Sequence, residues 1–213
     1  MTGPSPFPEV PLPFPLPPGR APFPPQQPVV VPTVDLGVDV AGDTLAAQRR
    51  LMVSGALDGQ AVNALAAQLM TFDGVSGRDV ELIVSSVGGP LSDILPILDV
   101  LRLMRAPVNV TAIGSVSGTA VGLVAAGTGE RRAAPHARFT LRVDTEQSIS
   151  GTADEIARRA DDLSRRRADY LSALAAATGQ DADVLAAECE SGRVRTADEA
   201  LALGLIDAIA DRP

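Results

Sequence analysis

Residues 108–131 read VNVTAIGSVSGTAVGLVAAGTGER, and this stretch decides the fold. The β-branched run 108–113 predicts a buried strand, Gly114 a tight turn, and 119–126 a short apolar helix closed by Gly127. Strand, sharp turn and helix form the arrangement that exposes a nucleophile at a helix N-terminus, where free backbone N–H groups stabilise an oxyanion. The turn offers Ser115, Ser117 and Gly118.

Outward from this core, 51–54, 80–85 and 139–143 read as further strands, and 60–72 and 91–104 as helices. Such alternation predicts an α/β domain with a parallel sheet and right-handed crossovers. A long helix follows over 152–178, ended by Gly179, with Ile156, Leu163, Tyr170, Leu171 and Leu174 at helical spacing. Residues 1–33 hold 13 of the 18 prolines, which predicts a polyproline-like, disordered tail; Phe7, Phe14 and Phe23 are spaced through it, as parts of a plain flexible tail or, alternatively, as anchors of a docking peptide for a partner.

Composition narrows the function classes. A net charge of -8 argues against nucleic acid or an anionic membrane as partner. One cysteine, Cys189, and one histidine, His136, supply neither a disulfide framework nor a metal site, and no cofactor is called for. Residues 107–129 carry no charge, but five glycines and five serines or threonines argue for strand, turn and helix over a membrane span. No basic region followed by an apolar run opens the chain, so a soluble, cytoplasmic protein is expected.

The blocks LMVSG (51–55), ELIVSSVGGPL (81–91), AAGT (125–128), APHAR (134–138) and TADEALALGLID (196–207) together resemble the proteolytic subunit of the ATP-dependent Clp protease. The resemblance implies a crotonase-like fold of repeated β-β-α (spiral) units: a domain over 34–213, with a head (34–141 and 180–213) and a projecting handle helix (about 142–179). Carried over residue by residue, the family's serine falls on Gly118, its histidine on Arg142 and its aspartate on Glu188. The double glycine that supplies an oxyanion hole is Gly88 and Gly89, with Thr119 following the nucleophile position.

This carry-over implies a site without triad chemistry. A hydroxyl nucleophile needs a base within about 3 Å, and a guanidinium stays protonated. His136 lies six residues upstream of Arg142, about 20 Å away along an extended strand. A lysine base is excluded because all 18 basic residues are arginine. Ser117 is the alternative nucleophile; its plainer reading is a turn residue that hydrogen-bonds the helix start.

Three functions follow. The first is a noncatalytic ring subunit or regulator of a Clp complex, in homo-oligomers or in hetero-oligomers with active proteolytic subunits, with an ATP-dependent unfoldase as the further partner. The second is an active serine-type endopeptidase using Ser117 or an unrecognised base. The third is an acyl-thioester-binding crotonase-like protein. The handle reading further implies that Leu163, Leu171 and Leu174 await burial against another subunit.

Overall fold

The repeating apolar runs close into one parallel sheet. In the computed structural model, which describes residues 45–143 and 151–210, strands β1 (Arg50–Ala56), β2 (Val80–Gly88), β3 (Val108–Ala112), β5 (Arg131–Ala133) and β8 (Ala208–Ile209) lie side by side in the order β1-β2-β3-β5-β8. Every pairing in this sheet is parallel. Strand β2 carries Val80, Leu82 and Val84 fully buried at every second position, which is the alternation a sheet face requires.

Helices return the chain between strands. Helix α1 (Gly59–Val75) starts at Asp58, whose carboxylate accepts the Ala61 N–H at 2.9 Å, and it buries Val62, Leu65 and Leu69. Helix α2 (Leu91–Leu103) buries Leu91, Ile94, Ile97, Leu98 and Leu101. Where α1 ends, Arg49 closes the loop: it is buried at φ 59° and its guanidinium donates to the carbonyls of Phe72, Ser76, Arg78 and Asp79. Those carbonyls lie at the end of a helix and the loop beyond it, where acceptors otherwise lack partners.

A second, smaller sheet carries the decisive stretch. Gly114 turns at φ 58°, as expected, but the residues after it form a strand and not a turn. Strand β4 (Ser115–Gly118) pairs in parallel with β6 (Arg138–Leu141), which pairs antiparallel with β7 (Val194–Thr196). Val116 and Gly118 face inward and Ser115 is exposed. Helix α3 (Ala120–Ala125) follows and is buried along its whole length.

The long helix α4 (Ala153–Thr178) begins with a capping box between Thr152 and Glu155 and stops at Gly179 in the left-handed conformation. Its inner half belongs to this chain's own core. Tyr170, Leu171 and Leu174 are buried, and Leu163 packs at the core's edge. The expectation that Leu163, Leu171 and Leu174 await another subunit is therefore corrected, and Ile156, 40% exposed, is the apolar residue left uncovered. Helices α5 (Ala182–Ser191) and α6 (Ala197–Ala202) complete the fold. Residues 1–33 and the segment 144–150, which leads into the expected handle, lie outside the described residues. Among the described residues no helix is long and apolar enough to cross a membrane.

Candidate active site

Register brings the first two candidate positions together. Gly118 ends β4 opposite Leu141 on β6, so Arg142 comes one residue beyond that pair. Gly118 sits at φ 60°, a conformation in which an L side chain costs about 1–2 kcal/mol. Arg142 is exposed and makes no hydrogen bond or ion pair among the described residues.

The third candidate position is engaged in an ion pair. Glu188, on α5, is committed to Arg195, which donates to its carboxylate from Nε at 3.0 Å and from Nη2; Arg195 also holds Glu199. The residue set against Arg142 is Gly192: a Cβ there would be 4.0 Å from Arg142 Cδ. Positions 188 and 192 are one helical turn apart. The strand ends thus bring together Gly118 and Arg142, which offer neither hydroxyl nor imidazole, while the Glu188 carboxylate is tied to Arg195.

The remaining candidates do not replace them. Ser117 is a half-buried strand residue paired with Thr140, and its Oγ has no hydrogen bond to a described residue, so it caps no helix. His136 is exposed in the turn between β5 and β6. Cys189 is buried, and burial pushes its thiol up to about 11, far from thiolate chemistry. Among the described residues no group of histidines, cysteines and carboxylates could hold a metal.

The double-glycine loop is present and tightly seated. Gly88 lies at φ 82°, its carbonyl accepts the Leu57 N–H at 2.9 Å, and its own N–H donates to Ser86 Oγ at 3.0 Å. A Cβ on Gly88 would be 2.7 Å from the amide nitrogens of both Thr119 and Ala120. A Cβ on Gly89 would run into the Leu57 carbonyl. Glycine is therefore required at both positions by contact, independent of any chemistry.

Thr119 fastens this loop to α3. It is fully buried; its hydroxyl accepts the Gly89 N–H at 2.9 Å and donates to the Gly89 carbonyl at 2.7 Å. Tyr170 of α4 secures the other side: its Oη accepts the Gly122 N–H at 3.0 Å and donates to the Thr119 carbonyl at 3.3 Å. Gly122 has no room for a side chain because the Tyr170 ring fills the space. Sequence reasoning placed Tyr170 on the apolar stripe of the long helix but singled out neither its hydroxyl contacts nor that of Thr119, since both join residues 30 or more positions apart.

Comparison with known proteins agrees with this architecture. The family described as Clp protease matches residues 37–213. The chain is 28% identical over 164 residues to the ATP-dependent Clp protease proteolytic subunit 1 of Thermobifida fusca, covering 76% of this chain and 74% of that one. It is 27% identical over 166 residues to proteolytic subunit 2 of Corynebacterium jeikeium, covering 77% and 79%, and 28% identical over 167 residues to proteolytic subunit 3 of Nocardia farcinica, covering 77% and 76%. With a family match running through the whole parallel sheet, the double-glycine loop and the strand-end site, the chain belongs to the Clp protease family.

Proposed function

We propose that this protein is a noncatalytic subunit of a Clp-type peptidase assembly in the cytoplasm. The observation that carries the reading is Gly118 and Arg142 at the ends of β4 and β6, with Glu188 committed to Arg195. Removing nucleophile or base from a triad abolishes nearly all of its rate enhancement, on the order of a millionfold in kcat; here both are absent. The partners that suit it are active proteolytic subunits of the same fold, with an ATP-dependent unfoldase acting on the assembled ring. Its contribution would be to fill ring positions and shape the chamber, with hydrolysis left to its neighbours.

The test is intact-mass analysis after treatment with a fluorophosphonate, on the purified protein and on the protein co-expressed with an active proteolytic paralogue, alongside casein and peptide hydrolysis. The expected result is no adduct on this chain in either setting, and co-purification with the paralogue. An adduct on Ser117, with turnover abolished by Ser117→Ala, would overturn the noncatalytic reading.

A further inference from the structure

We propose that Thr119 acts as a built-in latch, its hydroxyl occupying the backbone amide that an acyl carbonyl would need, so that the site is shut independently of its missing triad. An acyl group attacked from position 118 needs two donors: the N–H of the next residue, Thr119, and an N–H from the loop facing it. The facing loop is Gly88 and Gly89, since Gly88 abuts the amides of Thr119 and Ala120. The Gly88 N–H is turned to Ser86 Oγ. The Gly89 N–H is the remaining donor, and the Thr119 hydroxyl holds it at 2.9 Å while returning its own proton to the Gly89 carbonyl at 2.7 Å.

Both bonds are partly buried, the Thr119 side fully so, and one hydroxyl satisfies the N–H and the carbonyl of a single residue. A substrate oxygen competing for Gly89 would strand the hydroxyl in an apolar interior and leave the Gly89 carbonyl unpaired, which is disfavoured. Tyr170 holds the Thr119 carbonyl from the other side, so the residue cannot simply swing away. An unbranched apolar side chain at 119 would leave the Gly89 amide open; the threonine closes it.

This inference rests on the Clp-type placement of the site, but its failure is separable from that of the noncatalytic reading. The first measurement is amide hydrogen exchange at Gly89 in the full-length protein. Thr119→Ser, which keeps the hydroxyl, should leave Gly89 protected, whereas Thr119→Ala should accelerate its exchange at least tenfold while the β2 amides stay protected. The second uses a rebuilt site, Gly118→Ser with Arg142→His, and follows fluorophosphonate labelling of the introduced hydroxyl, whose oxygen displaces fluoride from phosphorus. Adding Thr119→Ala should raise the labelling rate at least tenfold, and adding Thr119→Ser should not. Equal rates, no labelling with or without Thr119→Ala, or Gly89 exchange unchanged by Thr119→Ala would each overturn the latch. Labelling of Ser117 in the natural chain would instead sink the noncatalytic reading and leave the latch standing.

Discussion

The seam where Gly88 and Gly89 meet Leu57 and Thr119 and the strand-end cluster of Gly118 and Arg142, with Gly192 beside Arg142, both line the candidate site, yet they obey different constraints. In the seam every position is fixed by its neighbours: the Leu57 carbonyl excludes any side chain at 89, and the amides at the start of α3 exclude one at 88. In the cluster little is fixed. Arg142 is exposed without a described partner, and the space beside Gly192 is ordinary van der Waals distance. Packing maintains the scaffold of an active site whether or not reaction occurs; only reaction maintains the groups that perform it. At position 118, glycine even relieves the strain that a side chain would carry at φ 60°.

The contrast breaks most visibly at Gly89. Gly89→Ala should destabilise the fold by about 4 kcal/mol or more, or prevent folding, because backbone and not a flexible side chain stands in the way. Chemical denaturation monitored by circular dichroism gives the value, and a loss under about 1 kcal/mol would show that the seam is looser than described.

Arg131 extends the comparison to a polar seam. It joins Asp207 by a bidentate ion pair and donates to the carbonyls of Ala177 at 2.9 Å and Gly204 at 3.0 Å. Arg131→Ala strands several partly buried acceptors, for a loss of about 2–4 kcal/mol in the same assay.

The cluster should respond in smaller steps. Gly118→Ala should lose about 1–2 kcal/mol through its positive φ alone. Gly192→Asp, at φ 57° on the C-cap of α5, should lose less, since aspartate tolerates that conformation better. If both cost as much as Gly89→Ala, the division between seam and cluster fails.

The smallest effect depends on pH. Arg131 holds the Asp207 carboxyl below its ordinary value of 3.8, through the side-chain hydrogen bond first. A depressed carboxylate contributes stability that is present above the ordinary value and is lost as pH falls through the folded one. Because Asp207 is 43% exposed, screening limits this to under about 1 kcal/mol. Thermal melts of wild type and Asp207→Asn should differ at pH 6, and this component of their difference should shrink below pH 4.

Strands β1, β2 and β3 of the parallel sheet were legible as apolar runs between helices with their own period, as in 80–85 and 91–104, whereas β5 (RRA) and β8 were not, and the strand expected at 139–143 lies in the smaller sheet. Strand β4 was not. SVSG carries one β-branched residue and no aromatic one, a weak strand signal, and its pairing with β6 supplies the order that its composition does not. Gly118 and Arg142 were both readable from block spacing. Position 188 follows from the spacing to the TADEALALGLID block, but its ion pair with Arg195 has no signal in that spacing. The hydrogen bonds of Thr119 and Tyr170 leave no periodic trace, and neither does the four-carbonyl grip of Arg49.

Tyr170 gives the long helix a mechanical role. Its ring is wedged against Gly122 and its hydroxyl grips the first turn of α3, so it serves as a fulcrum, with roughly 26 Å of lever arm running outward to Ala153 at 1.5 Å per residue. The outer arm is mostly exposed and the inner arm is anchored. A displacement of the exposed end would therefore be felt, along the helix, at the Tyr170 hydroxyl and the Thr119 carbonyl it holds.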